Sequence, residues 1–217
     1  KNNGLVEIMI VDDCSTDRTG AIIDALAQKN LYIQVVHNAK NCGIGYNFQI
    51  GSKLSKSEYT GYIPGDNEVT SQAIHNMFAV VGGSDIVNTY ITNMKARPWL
   101  RQVISRSFTR AMNALFGLNL RYFTGPAIIR TELLRRVKQT TFGFAFMMEI
   151  IVQLVRAGYS YLEVPMPVQP RAYGRPIQVF RPKDIWRVLK AIYAVVCTVY
   201  FSTTITELSC ARVNKNT

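Results

Sequence analysis

The sequence predicts an α/β fold with a mainly parallel sheet flanked by helices, and three features of its first half support this. Val6 to Val11 is nearly continuous in apolar, mostly β-branched residues, as is typical of a strand covered on both faces. Further short strand patterns recur at Ile33 to Val36, Tyr59 to Ile63 and Asp85 to Asn88. Helical patterns separate these runs, and such alternation indicates parallel strands joined by helices.

The first two helices are predicted from apolar spacing and from the residues that precede them. Ser15 or Thr16 can cap the first helix, because a side-chain oxygen there accepts hydrogen bonds from the free N–H groups. Its apolar residues share one side: Ile22, Ile23 and Leu26. The second helix is expected to start after the glycine-containing loop from His37 to Gly45.

The stretch after the third strand carries two carboxylates, Asp66 and Glu68, at spacing i, i+2. Ligands of α/β sheets bind at strand ends, and Mg²⁺ takes one or two carboxylates together with phosphate oxygens. The stretch is therefore a candidate meeting place of a metal and a diphosphate; the alternative is a polar turn with two solvated acids. Thr70 or Ser71 can cap the next helix, whose apolar residues recur at helical spacing: Ile74, Met77, Phe78 and Val81.

The alternation of strands and helices changes after Asn88. Thr89 to Arg97 is polar and irregular, and Pro98 to Phe116 has the pattern of a long basic helix. Leu118 to Phe123 is expected to form a strand, followed by a turn at Thr124 to Pro126.

The C-terminal third is predicted as a helix at Phe144 to Ala157, a strand at Tyr159 to Val164 and a helix from Lys183 to about Phe201. Glu149 lies opposite the apolar stripe of the first of these helices. The last helix is basic and amphipathic, a pattern typical of helices that bind membrane surfaces. The alternative is a helix packed on the core with a solvated basic face.

The composition narrows the class of partner. The 217 residues suit one domain, and the formal net charge of +11 favours an anionic partner such as a phosphorylated substrate or an acidic membrane. Runs of Lys or Arg are absent, so we expect no nucleic-acid partner. The four cysteines form neither a C-x-x-C pair nor a zinc spacing, which indicates free thiols. The chain starts without Met, so we expect that an N-terminal piece is missing.

Four motifs, in order, resemble those of glycosyltransferase family 2. V-D-D-C-S-T-D-R-T-G at Val11 to Gly20 is similar to the family's V-D-D-G-S-x-D-x-T, and N-C-G-I-G at Asn41 to Gly45 to its N-x-G-x-G loop. P-G-D-N-E at Pro64 to Glu68 falls where the family has D-x-D. E-V-P-M-P-V-Q-P-R-A-Y-G-R at Glu163 to Arg175 resembles the tail of the polyprenyl-phosphate branch.

The resemblance implies a GT-A fold with a Rossmann-like nucleotide half. Residues 1–180 would form the glycosyltransferase domain, with the nucleotide half at about 1–88 and the acceptor half at about 89–180. Residues 181–217 would add the amphipathic helix and a tail that contacts the membrane surface.

The implied activity is inverting transfer of a sugar from a nucleotide-diphosphate sugar, GDP-mannose or a UDP-hexose, to a polyprenyl phosphate at the cytoplasmic membrane face. Mg²⁺ or Mn²⁺ is the implied cofactor, held by Asp66 with Glu68. Arg171 and Arg175 would hold phosphate oxygens and, with Asp66, form the catalytic set. The implied nucleotide-sugar site is larger: Asp12, Asp13, Ser15, Asp17, Asn41, Gly43, Gly65 and Asp66. Helix capping and turn chemistry are the alternatives for these residues.

The sequence departs from the family pattern at several positions, among them the following three. Pro64 replaces the first acid of D-x-D, Cys14 the usual glycine after the paired acids, and Arg121 an acid often found ahead of the following turn. Cys14 is therefore expected to do without a positive φ. Two other functions stay open: a family-2 transferase that extends a saccharide, with Glu149 as a candidate base, and a non-catalytic nucleotide- or lipid-binding relative. Arg97, Arg101 and Arg106 are candidates for gathering a phosphorylated lipid.

Overall fold

The computed structural model describes residues 6–170 and 182–213. Six strands are described there: β1 (Ile8–Asp12), β2 (Ile33–His37), β3 (Tyr59–Gly61), β4 (Ile86–Ile91), β5 (Ala127–Arg130) and β6 (Tyr161–Met166). The helices are α1 (Thr19–Lys29), α2 (Ile44–Leu54), α3 (Ser71–Phe78), α4 (Trp99–Phe116), α5 (Thr131–Arg136), α6 (Phe146–Arg156), α7 (Pro182–Phe201) and α8 (Thr204–Val213). A 3₁₀ turn, Met94–Ala96, precedes α4.

The strands form two sheets, and the predicted α/β class is confirmed. β1 and β2 pair in parallel, with Asp12 opposite His37 at their carboxyl ends. The second sheet has the order β3-β5-β4-β6, in which β4 and β6 are parallel. β5 runs antiparallel to both of its neighbours, a feature that the alternation pattern of the first half did not reveal.

Helix α6 lies at the centre of the main core. All nine residues from Phe146 to Leu154 are buried, because the helix is covered by the second sheet's core residues and by α7 and α8. A helix that is apolar on nearly every side belongs in such a position. The prediction of a helix with one apolar stripe understated this burial.

Helix α7 packs on the core through one side and exposes aromatic residues on the other. Ala191, Val195 and Val199 are buried, whereas Trp186 and Tyr193 are 59% and 71% exposed. The core contact agrees with the second predicted arrangement, and the membrane contact stays a prediction. None of the helices in the described part of the chain has the length and apolarity needed to cross a bilayer.

Two predicted local features are wrong. Leu118 to Phe123 forms no strand, because the side chain of Asn113 occupies both backbone groups of Leu120. The cap predicted at Ser15 or Thr16 is also absent, since Arg18 is the residue at the start of α1 and its side chain makes no cap bond. By contrast, the Thr70 hydroxyl accepts a hydrogen bond from Ala73 N and caps α3, as predicted.

Candidate functional site

Asp12, at the carboxyl end of β1, is a buried acid held by two neighbours. Its Oδ1 accepts from Ser15 N at 3.1 Å, and its Oδ2 contacts His37 Nδ1 at 3.1 Å. The hydrogen bond with Ser15, then that with His37, lowers the pKa of Asp12 below its usual range. The carboxylate is therefore ionised at neutral pH and joins the ends of the two parallel strands.

His37 bridges two carboxylates. Its second ring nitrogen, Nε2, lies 2.9 Å from Asp24 Oδ1 on α1, opposite the contact with Asp12. Hydrogen bonds first to Asp24 and then to Asp12 raise the pKa of His37 above its ordinary value. The protonated imidazolium is the form that can donate to both acids at once.

The His37 bridge predicts a pH-dependent contribution to stability. A raised folded-state pKa means that the contribution is fully present below the unfolded pKa of about 6.5 and is lost as pH rises through the folded pKa. We expect the free energy of unfolding lost in His37→Gln to shrink across that window, as measured by urea unfolding at several pH values. The trend should be weaker in an Asp24→Asn background. A loss that is constant with pH would contradict the charged bridge.

Asp13 fastens the loop that follows β2. Its Oδ1 accepts from Cys42 N at 2.8 Å and from Asn38 Nδ2 at 2.9 Å, and its Oδ2 accepts from Gly43 N at 2.8 Å. Burial alone would raise the pKa of Asp13, but these donors outweigh it and lower the pKa. Both carboxylate oxygens thus accept hydrogen bonds from the loop, which supports a positioning role; the predicted direct contact with a nucleotide stays a prediction.

The other site residues predicted near the ends of β1 and β2 also make local contacts. Asn41 Nδ2 donates to the carbonyl of Asp13, and Asp17 Oδ1 accepts from Thr19 N at 2.9 Å, beside the start of α1. Gly43 has φ +89°, and a Cβ there would lie 2.9 Å from the carbonyl oxygen of Phe142. The structure therefore brings these residues together at the ends of β1 and β2, as predicted, while their role in binding a nucleotide remains a prediction.

Cys14 corrects the expectation drawn from its replacement of glycine. Its φ is +63°, so the backbone keeps the left-handed conformation although a side chain is present. Such a conformation costs an L-residue about 1–2 kcal/mol.

We therefore expect Cys14→Gly to stabilise the protein by about 1 kcal/mol, after the larger entropy of glycine in the unfolded chain is subtracted. For a protein of this size that corresponds to a rise of about 2–4 °C in Tm, measurable by calorimetry. Asn67, whose φ is +57°, provides a control, since Asn tolerates this region and Asn67→Gly should gain less. A fall in Tm for Cys14→Gly would contradict the expected backbone strain at Cys14.

The loop that carries Asp66 is fixed against the chain that continues from β6. Gln169 N donates to Glu68 O at 3.0 Å, and Gln169 Nε2 donates to Asn67 O at 2.8 Å. Asp66 Oδ1 accepts from Glu68 N at 3.1 Å, which closes a tight turn. A Cβ at Gly65 would meet nothing within 4 Å, so close packing does not require a glycine there.

Glu68 forms an ion pair with Arg97, which was predicted as a candidate for gathering a phosphorylated lipid. Arg97 is buried; its Nε donates to Glu68 Oε1 at 3.0 Å and its Nη2 contacts the same oxygen. Arg101 Nη2 lies 3.6 Å from it as well. Both guanidinium groups lie at Oε1 of Glu68, and the role of Glu68 as the second metal ligand stays a prediction. Arg97 is not exposed for gathering a phosphorylated lipid, in contrast to Arg106.

The donor set at this loop fits a metal that shares its ligands with a diphosphate. Within residues 6–170 and 182–213, no three His, Cys, Asp or Glu side chains form a group that could hold a metal. Asp66 is the more exposed of the two carboxylates in the acidic loop, residues 64–68. One carboxylate plus phosphate oxygens is a typical Mg²⁺ environment in proteins. Arg171 and Arg175, predicted to bind those phosphates, lie outside the described residues.

Glu149, the candidate base for a saccharide acceptor, has a structural role instead. Its side chain is fully buried and accepts from Thr140 N, Thr140 Oγ1 and Thr141 N at 2.6–3.1 Å. The same segment reaches α2, where Gln139 Nε2 donates to Gly45 O at 2.9 Å. A buried carboxylate that holds a loop in this way is not placed to take a proton from a substrate.

Arg97 and Tyr122 are the site residues that sequence reasoning missed or misassigned. The Tyr122 hydroxyl accepts from Arg97 Nη1 at 3.2 Å, and the tyrosine is buried beside Val69. Tyr122 was predicted within a strand. No local sequence pattern identifies the contact between Arg97 and Glu68, because the two residues are 29 positions apart. Arg97 also lies in an irregular stretch of the chain.

Comparison with known proteins gives consistent matches. The model of glycosyl transferase family 2 matches residues 1–138. The polyprenol monophosphomannose synthase of Mycolicibacterium smegmatis is 26% identical over 182 residues, which cover 78% of this chain and 69% of that protein. The dolichol-phosphate mannosyltransferase of Pyrococcus furiosus is 26% identical over 200 residues, covering 88% of this chain and 55% of that one.

Solved structures support the fold. Glucosyl-3-phosphoglycerate synthase from Mycobacterium tuberculosis, in complex with UDP, matches with a TM-score of 0.63 at 16% identity, over 86% of this chain and 68% of that one. The same enzyme in complex with Mg²⁺ and UDP matches with a TM-score of 0.60, also at 16% identity, over 84% of this chain and 67% of that one. At this identity the likeness establishes the GT-A fold alone.

Proposed function

The chain belongs to glycosyltransferase family 2, in its polyprenyl-phosphate branch, and we propose that it transfers a sugar to a polyprenyl phosphate. The proposed donor is a nucleotide-diphosphate sugar, GDP-mannose or a UDP-hexose. Transfer takes place at the cytoplasmic face of a membrane, with inversion at the anomeric carbon.

The observation that carries this proposal is the fixed acidic loop. Asp66 lies in a turn whose backbone is hydrogen-bonded to Gln169. Arg171 and Arg175 follow Gln169 closely in the sequence. A carboxylate and two guanidinium groups supply the charges that a metal–diphosphate complex needs.

The reaction is a direct displacement. An oxygen of the acceptor phosphate forms a bond to the anomeric carbon while the bond to the donor diphosphate breaks, and the nucleoside diphosphate leaves with the electron pair. The acceptor phosphate is already anionic at neutral pH, so no proton has to be removed. The reaction therefore needs no general base, which agrees with the burial of Glu149 and with Arg121 in place of an acid.

The chain's own residues contribute binding and charge. Asp66 would hold Mg²⁺ or Mn²⁺, which when bound stabilises negative charge on the leaving diphosphate. Arg171 and Arg175 would bind phosphate oxygens of the donor or the acceptor. Asp12 and Asp13 keep the ends of β1 and β2 and the following loop in place for the nucleotide.

The exposed side of α7 is the proposed membrane contact. Trp186 and Tyr193 lie on it, and Arg187 and Lys190 are exposed on the same helix. Aromatic residues sit well at the boundary between headgroups and acyl chains, and basic residues attract anionic lipids.

We expect Trp186→Ser combined with Tyr193→Ser to reduce binding to vesicles of phosphatidylglycerol by about tenfold, as measured by co-sedimentation. The reason is the loss of two large apolar side chains from the lipid boundary. Ile22→Ser, which removes an apolar residue that is 55% exposed on α1, is the matched control and should leave binding unchanged. Equal binding by the double variant and the wild type would place the contact elsewhere.

The proposed activity is tested with the full-length protein and radiolabelled donors. GDP-mannose and UDP-glucose are each incubated with a polyprenyl phosphate in detergent and Mn²⁺, and label is followed into the organic phase. Metal-dependent label from one donor is the expected result. Label that enters a saccharide but not the lipid would support the saccharide-extending alternative. Donor binding with no transfer to either acceptor would support a non-catalytic relative, which the replacement of the first D-x-D acid by Pro64 favours.

A further inference from the structure

Two neighbouring strands hold consecutive residues of the 121–126 segment. Glu163 on β6 accepts from Arg121 N through its Oε1 at 2.8 Å. Asn88, its register partner on β4, donates from Nδ2 to Tyr122 O at 2.8 Å. The backbone of Arg121 and Tyr122 is therefore set by side chains of the sheet and not by strand pairing.

The presence of Asn88 in β4 supports a dedicated role for these bonds. The residue is fully buried, and its Oδ1 is a buried atom that has no hydrogen-bond partner among the described residues. Such an arrangement costs stability relative to an apolar residue in the same strand. The bond from Asn88 to the Tyr122 carbonyl offsets part of that cost and fixes the tyrosine.

Tyr122 is connected to the acidic loop by the packing of its ring and by a hydrogen bond with Arg97. Its ring is buried in a cluster with Val69, the residue that follows Glu68. Its hydroxyl accepts from Arg97 Nη1 at 3.2 Å, and Arg97 in turn holds Glu68. The path from β6 to the turn at Asp66 is thus continuous in packed or hydrogen-bonded groups.

We propose that Glu163 is a positioning residue of the donor site, which acts through Tyr122 and Arg97 to fix the loop that carries Asp66. Glu163 does not contact the donor in this scheme. What it supplies is a hydrogen-bond acceptor for Arg121 N, which a glutamine side chain also provides and an alanine does not. The effect on donor binding rests on the proposed function, whereas the effect on the loop does not.

The first test measures the loop directly by hydrogen exchange. Glu163→Ala and Tyr122→Phe are expected to raise exchange at least about tenfold in the segments 65–70 and 167–170, because a looser turn opens more often. Glu163→Gln should leave both segments as in the wild type. Tyr159→Phe is the matched control, since it removes another largely buried tyrosine hydroxyl, bonded to Leu208 O at 2.9 Å. Unchanged exchange in Glu163→Ala, or an equal rise in Tyr159→Phe, would overturn the proposal.

The second test measures the donor affinity of the same variants at saturating Mn²⁺. We expect the Kd for the preferred nucleotide sugar to rise about tenfold in Glu163→Ala and Tyr122→Phe and less than twofold in Glu163→Gln. A rise in Glu163→Gln equal to that in Glu163→Ala would show that the charge and not the acceptor matters, which contradicts the proposal. If the wild type binds no nucleotide sugar, the proposed function fails, and the exchange result still decides the role of Glu163.

Discussion

Replacing Asp66 is expected to lower the rate of sugar transfer by about a thousandfold or more while the fold is kept. Charge stabilisation of a leaving group by a bound metal is worth several kcal/mol, and each 1.4 kcal/mol corresponds to about tenfold in rate. Asp66→Asn is the sharper variant, because its side-chain oxygen can still accept from Glu68 N and preserve the turn. Asp66→Ala removes both the charge and the turn contact.

Both variants should lose transfer to a similar extent, measured as label incorporated into polyprenyl phosphate, with Tm close to that of the wild type for Asp66→Asn. Substantial activity in Asp66→Asn together with its loss in Asp66→Ala would mean that the turn, and not the carboxylate charge, is what the reaction needs. That result would contradict the proposed role of Asp66 as a metal ligand.

Replacing Arg97 is expected to have the largest effect on stability. Arg97 and Glu68 are both buried, and removal of one member of a buried ion pair leaves the other charge without compensation, at a cost of about 3–5 kcal/mol. Arg97→Ala should therefore lower the free energy of unfolding by about 3 kcal/mol, since Arg101 lies near enough to Glu68 to compensate in part. For a chain of this length that is a fall of about 6–12 °C in Tm.

The double variant Arg97→Met with Glu68→Gln distinguishes the ion pair from simple loss of packing. It removes both charges and keeps comparable side-chain volumes, so most of the lost stability should return. Calorimetry of Arg97→Met, Glu68→Gln and the double variant gives the coupling free energy between the two side chains. A double variant as unstable as Arg97→Ala would show that packing of the arginine, and not its charge, carries the effect.

The local parts of the fold follow from the sequence, whereas contacts between distant segments do not. The first strand, expected at Val6 to Val11 and found at Ile8–Asp12, and the cap of α3 at Thr70 were predicted, because strand patterns and caps depend on neighbouring residues. The short β5 was missed, since Ala127–Arg130 gains its strand character only by pairing with β3 and β4. The six residues of α5 are too few for a helical period to be visible.

The same division applies to the candidate site. The juxtaposition of Asp13 with the Asn41 to Gly43 segment was predicted by motif resemblance, because the motifs mark the ends of parallel strands. The ion pair of Glu68 with Arg97 and the contact of Tyr122 with Arg97 could not be predicted. They connect an acidic turn, an irregular stretch and a segment mistaken for a strand, and only the packed structure places these three together.

The most direct test of a metal-dependent donor site is a titration of the full-length protein with GDP-mannose and UDP-glucose, with and without Mn²⁺. A ligand that binds only the folded state raises Tm by mass action. We expect a rise with one of the two donors that requires Mn²⁺ and disappears in Asp66→Asn. A rise of equal size without metal, or in Asp66→Asn, would contradict a metal site at Asp66, and no rise with either donor would contradict donor binding itself.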